Sequence, residues 1–441
     1  MTPRKLFGTD GVRGVAGELL TAELAVALGR AASTVFPAQR PQVLVLRDTR
    51  ESGEMLEAAL AAGLAEAGAD VLLGGVLPTP AAPLLLGRYG FDLAAVISAS
   101  HNPFRDNGIK FFGPDGFKLS DETEMAIEAA LEAPRSLPER IGRIRPLHGT
   151  LEDYLRELQT RFAGLDLTGV DVVLDCANGA TYQAAPEIFR RLGADVTVLA
   201  DEPDGRNINA GCGSTHVEGL GEVVVQGRHA LGFAFDGDGD RVLAVDRTGT
   251  VVDGDELIAL AALHLRKAGR LPGDGVAVTV MTNYGFHAAM DEAGIAVATT
   301  KVGDRYVLEE LRARGWSLGG EQSGHIIDTA FVPSGDGIAA ALLTLEALEG
   351  TDLADRSAMR KLPQRLVNVP VADRDAAMAA DALQAAVAEA DAALLGRGRV
   401  LVRPSGTEQL VRVMVEAPTA EEADATCERL VTVVQSSARP S

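Results

Sequence analysis

The sequence predicts an α/β protein: three similar α/β units built on mixed sheets, then a smaller α+β unit at the C-terminus. Three observations predict it. The chain has 441 residues, 46% of them hydrophobic, which is too many for one core and enough for two to four domains. Apolar strand-like runs alternate with helical stretches at the crossover lengths of parallel or mixed sheets. The strands also end abruptly in polar loops, at the sheet edge where open α/β proteins bind ligands. The repetition is one of pattern only, without residue-by-residue repeats.

In order along the chain, Leu6–Gly14 reads Leu-Phe-Gly-Thr-Asp-Gly-Val-Arg-Gly. Its glycines can bring backbone amides and Arg13 close to an anion; a plain glycine loop is the alternative. An amphipathic helix is expected from about Ala22 to Val35. Gln42–Leu46 is a strand, Ser52 caps a helix through about Ala67, and Val71–Leu73 is the next strand. Leu77–Pro80 breaks the chain before a short helix near Ala82–Tyr89. The apolar run Leu93–Ile97 then turns polar within one residue, into Ser98–Ala99–Ser100–His101–Asn102–Pro103 and on to Lys110. Lys118–Leu119–Ser120 precedes an acidic helix, and Pro134–Pro146 reads as a linker.

The second unit holds strands at Val170–Leu174, Asp195–Leu199 and Leu231–Phe235, with helices near Tyr182–Leu192 and Val217–Gln226. The third alternates a helix at Leu257–Arg266, strands at Gly275–Val280 and Ala296–Thr300, and helices at Tyr284–Ala293, from Gly303, and at Asp336–Leu348. The last unit has strands at Arg399–Val402 and Leu410–Glu416, one long Ala-rich helix over Ala376–Leu395, and a final helix.

Charge narrows the function classes. Lys and Arg total 41 against 62 Asp and Glu, a net charge of −21. That argues against nucleic-acid and anionic-membrane partners, which need basic faces. A small anionic substrate remains compatible, and its cleft is expected to be locally basic. Cys176, Cys212 and Cys427 are widely spaced and form no disulfide or zinc pattern, which suits a reducing, cytoplasmic location. No run reaches the roughly 18 apolar residues of a membrane span.

Four constellations carry chemistry. The first is the hydroxyl cluster at Ser100; a Ser-Asn-Pro turn is the simpler reading. The second is Asp236–Gly237–Asp238–Gly239–Asp240–Arg241. Alternate residues of an extended segment share a face, and three hard carboxylates suit Mg²⁺; a solvated acidic turn is the alternative. A calcium EF-hand fails here, because its sixth and twelfth positions would be Arg241 and Arg247. The third, Gly320–Glu321–Gln322–Ser323–Gly324–His325, offers groups that suit sugar hydroxyls; an ordinary strand-to-loop turn is the alternative. The fourth, Arg403–Pro404–Ser405–Gly406–Thr407–Glu408 with Arg412 on the next strand, has the makings of a phosphate nest; a tight turn is the alternative.

These motifs, with Phe7–Gly14 ahead of them, stand in the order found in the α-D-phosphohexomutase superfamily. The sequence resembles that superfamily over essentially its whole length, and most closely its bacterial glucosamine-phosphate branch. Gln322 fits that branch. Gly239 and Gln409 depart from the alanine and proline more usual in the family. The resemblance implies a four-domain, heart-shaped enzyme. Residues 1–148 would be the catalytic phosphoserine domain, 149–252 the metal-binding domain, 253–364 the sugar-binding domain and 365–441 the phosphate-binding domain.

It further implies that Ser100, as phosphoserine, completes the ligand set of Asp236, Asp238 and Asp240 around one Mg²⁺. The activity would be an isomerase converting glucosamine 6-phosphate to glucosamine 1-phosphate through a 1,6-bisphosphate, on the route to the peptidoglycan precursor UDP-N-acetylglucosamine. Arg13, Lys110 and Arg241 would supply positive field, and Lys110 or His101 would move the hydroxyl proton. Glu321, Ser323 and His325 would meet the sugar, while Arg403, Ser405, Gly406, Thr407 and Arg412 would hold the distal phosphate. Other readings are a phosphomannomutase/phosphoglucomutase, a metal-dependent sugar phosphohydrolase using Asp236 as nucleophile, and a non-catalytic sugar-phosphate sensor. Oligomeric state is not legible.

Overall fold

The structure, a computed structural model, describes residues 6–8, 10–36, 40–133, 140–405 and 408–437. Thr9, the linker residues 134–139, Gly406 and Thr407 therefore lie outside the described residues. The chain divides into two compact units, residues 1–281 with 296–356, and residues 282–295 with 357–441.

The first unit carries three mixed sheets. The N-terminal stretch contributes β1 (Val12–Val15), α1 (Ala22–Val35), β2 (Gln42–Arg47), α2 (Ser52–Glu66) and β3 (Asp70–Val76). It continues with α3 (Ala81–Tyr89), β4 (Leu93–Ile97), β5 (Asp106–Phe112), α4 (Asp121–Glu132) and β6 (Ile144–Pro146). The strand order is β1-β5-β4-β2-β3-β6. β4, β2, β3 and β6 run parallel, and β5 and β1 add antiparallel strands at one end. β4 is buried at all five positions, as expected for a strand covered on both faces.

Two segments behave differently from the sequence reading. The Leu6–Gly14 glycine loop ends in a strand, because Val12–Val15 pairs with Ile109–Asp106. Ser52 does not cap α2: Glu51 occupies the cap position in helical geometry with no side-chain bond, and the Ser52 hydroxyl accepts instead from Asn107 Nδ2 at 2.9 Å.

The second sheet follows α5 (Thr150–Arg161). It contains β7 (Asp171–Asp175), α6 (Ala184–Arg191), β8 (Asp195–Leu199), α7 (Glu218–Gly227), β9 (Leu231–Phe235), β10 (Val242–Asp246) and β11 (Val251–Val252), in the order β11-β10-β9-β7-β8. The third follows α8 (Gly254–Lys267), whose start is fixed by a capping box between Asp253 and Glu256. Its elements are β12 (Gly275–Thr279), α9 (Tyr284–Glu292), β13 (Ala296–Thr300), α10 (Asp304–Arg314), β14 (Leu318–Gly320), β15 (Ile326–Asp328) and α11 (Gly337–Leu348), with strands ordered β13-β12-β14-β15. Of these, α9 divides with the second unit.

The second unit also holds a three-stranded antiparallel sheet, β16 (Gln364–Pro370), β18 (Leu410–Glu416) and β17 (Arg399–Pro404), in the order β16-β18-β17. The expected single helix over Ala376–Leu395 is two: α12 (Arg374–Ala379) and α13 (Asp381–Leu394). The chain extends at Ala380, and the Gln384 side chain donates to the Met378 carbonyl that the break leaves unbonded. Alanine favours helix everywhere and so carries no mark of such a break. α14 (Ala420–Ser437) closes the chain. Among the described residues no helix is long and apolar enough to cross a membrane.

Candidate active site

Three strands converge in the first unit. The loop after β4 carries Ser100, β5 carries Lys110 in its interior, and β9 runs directly into Asp236. Ser100 is buried and adopts a left-handed backbone at φ 52°, which costs a non-glycine residue about 1–3 kcal/mol. The surrounding structure offsets that cost. The Ser100 amide donates to Ser98 Oγ at 2.9 Å, and Ser98 Oγ donates to Asp48 Oδ2 at 2.6 Å. Arg50, fully buried, pairs with Asp48 at 2.8 Å and donates to four carbonyls of the loop, those of Ser100, Asn102, Pro103 and Asp106. From the second sheet, Asn209 Nδ2 donates to the Ser100 and Asn102 carbonyls at 3.0 and 3.1 Å.

The Ser100 hydroxyl donates to Asp236 Oδ2 at 2.5 Å and lies 3.2 Å from His101 Nδ1. Gly237 permits this approach: a Cβ there would sit 2.6 Å from the Ser100 carbonyl. Gly239 has φ 72°, and a Cβ would meet the Thr181 methyl at 2.5 Å, so in this chain the position is built for glycine.

Asp236, Asp238 and Asp240 present carboxylate oxygens that all lie within 4.8 Å of one another. Burial, then the charges of Asp240 and Asp238, push Asp236 well above the usual carboxylate range. Asp238 Oδ1 and Asp240 Oδ1 are buried without a hydrogen bond among the described residues. Oxygen donors packed against like charge, with buried lone pairs unused, fit a hard divalent cation.

Lys110 is buried, 2.7 Å from Asp238, 3.4 Å from Asp10 and 3.9 Å from Asp240. Burial opposes its charge, but those three carboxylates outweigh it and raise the pKa, so Lys110 is held as a cation. Arg13 pairs with Asp10, and Arg241 lies 3.7 Å from Asp240 while its amide donates to Asp236 Oδ1. His101 is half-buried, and burial followed by Arg241 lowers its pKa, favouring neutral imidazole.

The sugar-loop residues divide. His325 is buried, 3.6 Å from Asp240 and 3.8 Å from Asp304. Glu321 is buried and accepts from the Gly303 amide at 2.8 Å, whereas Ser323 is exposed. Gln322 turns to Asp253, donating at 3.2 Å, which joins it to the α8 cap. In the second unit, Arg403 and Arg412 stand directly opposite on β17 and β18, and Ser405 Oγ accepts from the Glu408 amide at 3.3 Å.

Sequence reading missed Asp10, Lys118 and Asp304 as members of the site. Lys118 Nζ lies 2.5 Å from both carboxylates, in a network that joins the first and third sheets. Nothing local marks it. The site is also not the locally basic patch expected. Around Ser100, Arg13, Lys110, Lys118 and Arg241 interleave with Asp10, Asp236, Asp238, Asp240 and Asp304. A cation held by the triplet would tip that balance toward an anionic substrate. The three cysteines form no disulfide.

Four family descriptions match consecutive parts of the chain. They are phosphoglucomutase/phosphomannomutase alpha/beta/alpha domain I over residues 4–137, domain II over 145–249, domain III over 253–366, and the C-terminal domain over 366–433. A phosphoglucosamine mutase from Moorella thermoacetica is 54% identical over 428 residues, covering 95% of this chain and 96% of the relative. A phosphoglucomutase/phosphomannomutase family protein from Burkholderia thailandensis superposes with TM-score 0.83 at 25% identity, covering 98% of this chain and 97% of that one. An N-acetylphosphoglucosamine mutase from Aspergillus fumigatus, solved with GlcNAc-6P and magnesium, gives TM-score 0.68 at 19% identity over 99% of this chain and 96% of that one, a likeness of fold alone.

Proposed function

The chain belongs to the phosphoglucomutase/phosphomannomutase family, and on that premise we propose that it is an isomerase interconverting glucosamine 6-phosphate and glucosamine 1-phosphate. The observation that carries the reading is the Ser100 hydroxyl, held in a strained backbone 2.5 Å from a buried carboxylate of a triplet fit for metal. The amino-sugar substrate rests on the 54% identical relative.

In this reading Ser100 carries a phosphoryl group. The phosphorus–Oγ bond breaks as a bond forms to the free sugar hydroxyl, giving a 1,6-bisphosphate. The proton of that hydroxyl ends on Ser100 Oγ. After the sugar reverses, the other phosphate returns to Ser100 and the proton moves back. His101, within hydrogen-bond distance of the hydroxyl, relays the proton, and Lys110, fixed as an ammonium, supplies charge. Asp236, Asp238 and Asp240, with the phosphoserine, would hold one Mg²⁺. Bound there, Mg²⁺ neutralises charge on the transferring phosphoryl group. Arg13 and Arg241 add positive field. Glu321, Ser323 and His325 orient the sugar, and Arg403, Ser405, Gly406, Thr407 and Arg412 clasp the phosphate that is not reacting. The four domains divide these tasks at residues 1–148, 149–252, 253–364 and 365–441, and the product feeds synthesis of a nucleotide amino sugar in the cytoplasm.

Intact mass spectrometry tests the reading. The purified protein is expected to show a phosphate adduct, about 80 Da, that Ser100→Ala lacks, with isomerisation lost in the variant. A sugar phosphohydrolase would instead release inorganic phosphate and tolerate Ser100→Ala. Turnover on glucosamine, glucose and mannose 6-phosphates then separates the branches; a preference for glucose or mannose overturns the substrate assignment.

A further inference from the structure

We propose that Thr79 is a positioning residue for the metal centre: its hydroxyl fixes the Asp238 carboxylate so that one oxygen is kept for the cation. The inference rests on the reading that the Asp236–Asp238–Asp240 triplet holds a divalent ion. Thr79 lies in the Pro-Thr-Pro break ahead of α3, more than 150 residues from the triplet in sequence. It is 1% exposed. Its amide donates to the Asp238 carbonyl at 2.8 Å, and its hydroxyl donates to Asp238 Oδ2 at 2.6 Å. Lys110 Nζ donates to the same oxygen at 2.7 Å.

Asp238 is thereby bonded asymmetrically. Oδ2 receives two donors, one from the Thr79 loop and one from Lys110 on β5, while Oδ1 is buried with no hydrogen bond among the described residues. A carboxylate can rotate about its terminal torsion and exchange its oxygens. Two donors held on Oδ2, the Thr79 hydroxyl and Lys110 Nζ, suppress that rotation and leave Oδ1 for the ion. The backbone bond places the loop; the hydroxyl orients the carboxylate. Valine preserves the first bond and nearly the same shape and removes only the second. Outer-sphere hydrogen bonds of this kind usually contribute 10–100-fold to metal affinity.

The test is titration of Mn²⁺ into the full-length protein, reading free Mn²⁺ by electron paramagnetic resonance, for wild type, Thr79→Val, Thr79→Ser, Thr79→Ala and Asp238→Asn. Thr79→Val is expected to raise the Mn²⁺ Kd by about 10–100-fold, Thr79→Ala by at least as much, and Thr79→Ser to stay within about threefold of wild type. The alanine variant keeps the comparison intact if valine is lost to misfolding. A valine or alanine Kd within about twofold of wild type overturns the proposal, and so does a serine variant as weak as valine. If wild type binds Mn²⁺ no better than Asp238→Asn, the metal reading itself falls, an outcome distinguishable from the first two.

Discussion

The Ser100 loop and the Arg403–Arg412 pair are both anion-handling elements in the proposed cycle, and they are built oppositely. The Ser100 loop is tied on every side: Arg50 binds four of its carbonyls, Ser98 its amide, and Asn209 reaches it from a second sheet. The arginine pair sets like charge against like charge across neighbouring strands, an arrangement that destabilises a sheet. Burial, then Arg412, lowers the Arg403 pKa, and Arg412 Nε is buried without a hydrogen bond among the described residues. The difference teaches where each element finds its order. The Ser100 loop is held by the fold itself. The proposed clasp sets two guanidiniums side by side, and in the proposed cycle a bound phosphate would relieve their repulsion.

The largest effect should come from breaking the rigid side. Arg50→Met strands Asp48 without its partner and frees four carbonyls, and is expected to destabilise the first unit by about 3–5 kcal/mol in urea unfolding. A loss under about 1 kcal/mol would show that the loop does not depend on this clamp. The clasp should respond in the opposite sense. Arg412→Gln is expected to raise KM by about 10–100-fold, while stability holds or rises by about 0.2–1 kcal/mol as the cross-strand repulsion disappears. Equal losses in stability and KM would erase the contrast.

The smallest effect concerns acid. Burial, then Arg399, lowers His287 in the second unit to about 4, below the ordinary value of about 6.5. A depressed folded pKa means the fold prefers the neutral ring. Its contribution is therefore intact above about pH 6.5 and is lost as pH falls through about 4. The hydrogen-exchange protection of α9, taken relative to the intrinsic exchange rate at each pH, should fall over that window in wild type and much less in His287→Gln. An identical pH response in both proteins would remove His287 as the cause.

Much of this was legible where chemistry and chain order coincide. Asp236, Asp238 and Asp240 sit at alternate positions after an apolar strand, and Ser100 ends another. What stayed hidden depends on distance. Arg50 reads as one polar residue among several after β2, and only the folded loop shows it as the clamp. Lys118 reaches Asp10 across 108 residues of chain and Asp304 across 186. β5 escaped because it is buried on both faces after Asp106 and carries Asn107 and Lys110 inside, so it has no polar–apolar alternation to detect. The break at Ala380 was hidden by a composition that is helical on either side of it.

The Asn209 amide has a consequence for how the protein is made. A chain emerging from the ribosome presents Ser100 first, and the side chain that grips its carbonyl follows 109 residues later. Asp236, the partner of its hydroxyl, comes 136 residues later. During synthesis, domains fold N-terminal first. Ser100 is thus translated well before the residues that set its posture, and its hydroxyl gains the Asp236 partner only when the second sheet has closed against the first.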